Sequence, residues 1–179
     1  VYNLNGQLKA INHPELDENS DPGRDTNDFF GMTIDYNSDD YKRSSNFSPL
    51  ANVNVNRDRF DGNIKGITWN TNRGTTANSS SYTYQYNRNH WLKGADFNSP
   101  GVGATDYDVS NITYDSNGNI LSLKRNKNAE GMPGSSMDDL NYRYDVINGK
   151  PNQLKYVTDA IQNPVPGAND IGSQNNVNN

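Results

Sequence analysis

Apolar side chains in this sequence alternate with polar ones at period two, in short bursts. Tyr82, Tyr84 and Tyr86 form one burst, Ile112 and Tyr114 another, and Leu140, Tyr142 and Tyr144 a third. Such alternation places every apolar residue of a segment on one face of a pleated strand, a surface that Tyr, Ile and Thr suit. Turn-forming dipeptides punctuate the chain at Asn5-Gly6, Asp61-Gly62, Asn117-Gly118 and Asn148-Gly149, and Asn87-Arg88-Asn89 is a fifth such place without its glycine. After each turn come two apolar residues three apart: Leu8 and Ile11, Ile64 and Ile67, Leu92 and Ala95, Ile120 and Leu123, Leu154 and Val157. Ile64, Leu92 and Ile120 stand 28 residues apart, and Leu8 stands 56, twice that spacing, before Ile64. Each repeat therefore predicts a β-hairpin, with Asn-Gly or Asp-Gly supplying the positive φ angles of a type I′ turn.

No stretch keeps apolar residues at helical spacing for three turns, and Gly, Pro, Asn and Asp interrupt every window. The expected fold is all-β, with antiparallel hairpin repeats in a curved ribbon and almost no helix. About five hairpin units fill residues 1–161, and residues 162–179 read as a polar, frayed tail. Long polar segments at residues 12–28, 37–56, 71–81, 96–106 and 126–138 separate the hairpins and are expected on an outer surface. The repeat core is expected to consist of Tyr2, Leu8, Ile11, Ile64, Ile67, Tyr82, Tyr84, Tyr86, Leu92, Tyr114, Ile120, Leu123, Tyr142, Tyr144, Leu154 and Val157.

Composition sharpens this picture. Only 31% of the 179 residues are hydrophobic and the mean hydropathy is -1.01, well below an ordinary globular domain. Disordered chains share that deficit but are poor in aromatics, whereas 11 Tyr, 5 Phe and 2 Trp occur here, which argues for folding. The net charge of -5, with basic residues scattered singly, argues against nucleic acid or an anionic membrane as partner. No apolar run is long enough for a membrane span or a secretory signal within these residues. With no cysteine there is neither a disulfide framework nor a thiolate nucleophile.

The segment Ile112-Thr-Tyr-Asp-Ser-Asn-Gly-Asn-Ile-Leu-Ser-Leu-Lys-Arg-Asn126 resembles a YD repeat of the Rhs family, in particular of wall-associated Rhs-like proteins of Bacteroidetes-type bacteria. Tyr2-Asn-Leu-Asn-Gly-Gln-Leu8, Phe30-Gly-Met-Thr-Ile-Asp-Tyr36 and Gly62-Asn-Ile-Lys-Gly-Ile-Thr-Trp69 match in register. So do Tyr84-Gln-Tyr-Asn-Arg88 with Trp91-Leu-Lys-Gly-Ala95, and Leu140-Asn-Tyr-Arg-Tyr144 with Gln153-Leu-Lys-Tyr-Val157. The resemblance implies a β-ribbon that spirals into a hollow shell, secreted or on a bacterial surface, enclosing a cargo such as a toxin or a processed C-terminal segment. Because Val1-Tyr2 begins inside a repeat, the chain reads as a fragment of a longer protein. The family's self-cleaving aspartate motif has no counterpart, since Asp21-Pro22-Gly23 lies in a loop and is followed by Arg24, so cleavage and toxin activity are not expected here.

Catalytic constellations are scarce. The two histidines, His13 before Pro14 and His90 before Trp91, cannot form a multi-histidine metal site, and neither a nucleophile elbow nor a phosphate or dinucleotide loop occurs. Asp17, Asn19, Asp21, Asp25 and Asp28 are spaced like oxygen ligands of a calcium loop, but Pro22 stands where glycine is needed. A solvated acidic loop is the competing reading, and no other cofactor is expected. Asn46, Asn78 and Asn111 begin sequons that so Asn-rich a chain produces by chance. The tyrosine stripes serve packing or, with Trp69 and Trp91, stacking on sugar rings. The chain is thus expected to be a non-enzymatic shell module, or else a surface module for carbohydrate binding or adhesion. Its open sheet edges are expected to pair with adjacent repeats or with copies of itself.

Overall fold

A computed structural model describes residues 1–20, 23–25, 27–37, 58–71, 79–127 and 136–161. The described residues are all-β: β1 (Ala10–Ile11), β2 (Phe30–Asp35), β3 (Gly66–Thr71), β4 (Ser80–Tyr86), β5 (Leu92–Asn98), β6 (Val109–Tyr114), β7 (Ile120–Asn126), β8 (Ser136–Asp145) and β9 (Lys150–Asp159). They form one sheet in strictly sequential order, and the only helical element among them is a 3-10 turn over Val146–Asn148. Gly, Pro, Asn and Asp deny a helix any uninterrupted run, while short connections favour antiparallel neighbours. The chain divides into two compact units. Residues 1–85 and 96–102 make the first, and residues 86–95 and 103–179 make the second. The predicted tail, residues 162–179, lies outside the described residues, as do Asn46 and Asn78.

In the first unit, β3 is central to an antiparallel register that sets Ile34 opposite Ile67 and Ile67 opposite Tyr82, with Thr33, Thr68 and Ser81 in the adjacent row. Successive residues face opposite sides, so Met32, Ile34, Ile67, Trp69, Tyr82 and Tyr84 share one face. Period-two alternation marks that face as the core. The structure buries the opposite, small-residue face more completely: Thr68, Ser81 and Thr83 are 0% exposed, whereas on the apolar face Ile34 is buried and Trp69, Tyr82 and Tyr84 are half-buried. Residues 13–14 lie against the small-residue face. The His13 carbonyl lies where a Cβ on Gly31 would fall, 2.0 Å away, and Asn70 Nδ2 donates to the Pro14 carbonyl at 2.8 Å. Only a face of Gly, Thr, Ser and Asn admits a backbone so closely.

In the second unit, Leu123, Leu140 and Asp159 line up across β7, β8 and β9, and Tyr142 lies opposite Val157. Leu140 is the buried centre of this row, with Ile112 buried on β6. The fully buried carboxylate of Asp138 is held by Arg125 on the neighbouring strand, Nε to Oδ2 2.5 Å. A register shift in β6 coincides with a left-handed Asn111, whose carbonyl accepts from Ser122 Oγ at 2.7 Å; this is a β-bulge. Three predicted core residues are corrected to exposed positions: Tyr2 (70% exposed), Ile11 (43%) and Leu154 (47%). Tyr2 and Leu154 stand on the outermost described segments of the sheet, where a described neighbour covers one side at most.

The turns also depart from expectation. A type I′ turn needs positive φ at both central residues, yet Asn5, Asp61, Asn117 and Asn148 all keep negative φ and only Gly6, Gly62, Gly118 and Gly149 are left-handed. In the tight turns the Gly6 and Gly118 amides bond back to the carbonyls of Asn3 and Asp115, and the amides of Asn3 and Asp115 bond forward to Gln7 and Asn119. That is a three-residue loop with a left-handed bulge residue, which needs one glycine rather than two permissive residues. The glycine-less turn obeys the same pattern: His90 N–H bonds to Asn87, Asn87 N–H to Trp91, and His90 takes φ 65. His90 is therefore the glycine equivalent at an exposed turn tip and not a half-buried sheet histidine. Left-handed backbone costs a residue with a Cβ about 1–2 kcal/mol, partly offset by the entropy that glycine loses on folding. Urea unfolding should accordingly find His90→Gly more stable than the parent by up to about 1 kcal/mol, with an unchanged m-value.

Candidate functional site

The feature that recurs in both units is a bond from one hairpin to the next. A tyrosine ends the first strand of each hairpin and lies opposite the apolar residue after the turn, as Tyr2 does with Leu8, Tyr114 with Ile120 and Tyr144 with Leu154. That apolar residue offers its carbonyl to the tyrosine of the following hairpin. Tyr36 donates its hydroxyl to Leu8 O at 3.3 Å, Tyr114 to Leu92 O at 2.6 Å, and Tyr144 to Ile120 O at 2.9 Å. The ring fills the face and the hydroxyl finds a backbone acceptor, so one side chain satisfies both of tyrosine's requirements. Burial pushes the hydroxyls of Tyr84, Tyr114, Tyr142 and Tyr144 above the usual phenol range.

The residue after that tyrosine holds the turn. Asn3 Oδ1 accepts from the amides of Asn5 and Gln7, Asn87 Oδ1 from those of Asn89 and Trp91, and Asp115 Oδ1 from those of Asn117 and Asn119, all at 2.8–3.0 Å. Asn119 Nδ2 adds a bond to Asp115 Oδ2 at 2.8 Å. This bond, together with the amides of Asn119, Asn117 and Gly118, holds the Asp115 carboxyl below the usual carboxylate range. The sequence reading placed the turns on Asn5 and Asn117 and missed the residues that organise them. A visible signal existed: Tyr is followed by Asn or Asp at Tyr2-Asn3, Tyr36-Asn37, Tyr86-Asn87, Tyr114-Asp115 and Tyr144-Asp145.

Two aromatic groups stand on the sheet. In the first unit Trp69 stacks on Tyr82 (centroids 5.9 Å, planes 21° apart), Tyr82 on Tyr84 (6.3 Å, 20°), and Phe97, which sequence reasoning overlooked, tilts against Tyr82 at 5.0 Å. In the second, Trp91 tilts against Tyr114 at 5.1 Å, and its ring lies 3.2 Å from where a Gly118 Cβ would stand. The two tryptophans named together for sugar stacking thus belong to different environments. Trp69 is part of a four-ring surface, and Trp91 covers the Gly118 turn of the following hairpin. Ile64, Ile67, Tyr86, Leu92, Leu123 and Val157 are half-buried along the strands or beside the turns.

Asp17 Oδ1 accepts from the amides of Asn19 and Ser20, and Asp25 Oδ1 from that of Asn27. Asp28 is half-buried, and Asp21 lies outside the described residues. Among the described residues no group of three or more His, Asp or Glu side chains is placed to hold a metal. None of their helices is long and apolar enough to cross a membrane. No protein-family model matches this chain, and no curated protein matches it.

Removing one hydroxyl tests the bond between hairpins. Tyr114→Phe leaves the Leu92 carbonyl without its donor and should cost about 1–3 kcal/mol in chemical denaturation, with amide protection lost first around Leu92 and Tyr114. The turn at Asp115 gives a pH test. Its folded pKa is depressed, so its contribution is full above the unfolded value of 3.8 and fades as pH falls through the folded pKa. The protection factors of the Asn117 and Asn119 amides, that is, exchange relative to the unstructured rate at the same pH, should fall on acidification below that value. Asp115→Asn, which copies Asn3 and Asn87, should abolish this pH dependence.

Proposed function

We propose that the chain is a non-enzymatic scaffold module of YD-repeat type, a stretch of secreted or cell-surface shell that encloses or presents another polypeptide segment. The observation that carries this reading is the hydroxyl-to-carbonyl bond repeated from Tyr36 to Leu8, Tyr114 to Leu92 and Tyr144 to Ile120. A bond that each hairpin makes to its predecessor serves extension of a sheet, and its residues are engaged in structure rather than held open for a substrate. The tyrosines that donate it, Tyr36, Tyr114 and Tyr144, all lie in segments that resemble Rhs repeats.

The second reading, a carbohydrate-binding or adhesion surface, draws on one specific observation. Trp69, Tyr82, Tyr84 and Phe97 present half-exposed rings on a common face, an arrangement on which sugar rings stack. A glycan array probed with the folded chain separates the two. The scaffold reading expects no retained glycan. Binding lost in Trp69→Ala or Trp91→Ala with circular dichroism unchanged would overturn it in favour of the second.

A further inference from the structure

We infer that the two outer edges of the sheet are complementary, so that the Tyr2 edge of one copy docks on the β9 edge of another, with Tyr2 donating its hydroxyl to the Leu154 carbonyl. The pattern inside the chain sets the template. Leu8, Leu92 and Ile120 each follow a turn, and each gives its carbonyl to a tyrosine that precedes an Asx residue, namely Tyr36, Tyr114 and Tyr144. Two members of this series lack a counterpart. Tyr2 precedes Asn3 and pairs with Leu8 as Tyr114 pairs with Ile120, yet among the described residues its hydroxyl makes no hydrogen bond, and it is 70% exposed. Leu154 pairs with Tyr144 in the same way, yet receives no tyrosine from the described residues and is 47% exposed. One edge has the spare donor and the other the spare acceptor.

The backbone agrees with the side chains. Residues 150–155 of β9 are all exposed, and no described strand pairs with the outer side of β9. By the shared register, the Leu154 N–H and carbonyl face away from β8, as the Ile120 carbonyl faces away from β6 toward Tyr144. The contact joins different surfaces on the two copies, so it is heterologous and propagates rather than closing as a symmetric dimer. Lys150 and Lys155 on the receiving strand discourage indiscriminate pairing, which keeps the association weak and dependent on the tyrosine.

Sedimentation velocity of the full chain at rising concentration tests this. The average mass should climb past that of a dimer without a plateau. Tyr2→Phe, which removes only the hydroxyl, should weaken association about two- to tenfold. Leu154→Pro removes the outward N–H of the receiving edge but leaves the Tyr2 edge intact. Added to the parent chain in minor amounts, it should therefore cap growing assemblies and lower their mass. Should circular dichroism show that Leu154→Pro does not fold, Leu154→Lys places a charge on the same edge and is expected to cap likewise. A chain that stays monomeric, or a dimer plateau indifferent to Tyr2→Phe as two β9 edges pairing with each other would give, overturns the inference. The inference extends the scaffold reading through the same bond, but neither result alters what the glycan array decides, so the two fail separately.

Discussion

The constraint on which this structure depends is that a one-layer sheet built from so few apolar residues cannot fix its register by a packed core. A slip of one residue would exchange the two faces of every strand. Where a thick core opposes this, the cost is apolar area lost to water; here the opposition is local and polar. The Tyr114 hydroxyl reaches the Leu92 carbonyl only if Tyr114 also stands opposite Ile120, and the same holds for Tyr144 between Ile120 and Leu154. Each tyrosine thereby links the register of its own hairpin to that of the one before. The Asx residue next in sequence fixes the turn from the same point, so two adjacent side chains specify a whole hairpin.

The two faces of the first unit divide the remaining work. The aromatic face supplies most of the apolar area but leaves its rings half-covered. The face of Gly31, Thr33, Thr68, Asn70, Ser81 and Thr83 is sealed because a backbone segment lies on it, close enough at Gly31 to exclude even a methyl group. Sealing has a cost: the hydroxyls of Thr33, Thr68, Ser81 and Thr83 are buried without a hydrogen-bond partner among the described residues. Close packing of small groups offsets it, since dispersion depends on atoms in contact and not on their hydrophobicity.

Much of this was legible in the sequence. Alternation in Tyr82-Thr-Tyr-Gln-Tyr86 and the recurring glycines identified strands, hairpins and the absence of helix, because both signals report backbone geometry directly. Which face would be buried was not legible, because the backbone that Asn70 bonds on that face, at Pro14, lies 56 positions away in the chain. The turn type was misjudged for a different reason: Asn-Gly suits either a type I′ turn or a three-residue loop, and the choice rests with Asn3, Asn87 and Asp115, the residues that follow the tyrosines. Tyr2, Ile11 and Leu154 match the repeat pattern yet lie exposed, since a pattern marks a position within the repeat and only the sheet decides whether that position has a neighbour.

Asparagine abundance follows from the same logic. A turn of this kind needs a side-chain acceptor beside the tyrosine, and either an amide or a carboxylate fills the role with similar geometry, as the turns at Asn3, Asn87 and Asp115 show. They differ in charge. A carboxylate at every turn would stack like charges at one end of the sheet and tie its hairpins to pH, whereas an amide makes the same bonds with no charge and no titration. Asp115 is tolerated where Asn119 answers it with a side-chain amide, and Asp145 likewise receives the amide of Asn148. In a chain that already carries a net charge of -5, using asparagine for repeated turns limits self-repulsion while preserving the hydrogen bonds that hold each hairpin closed.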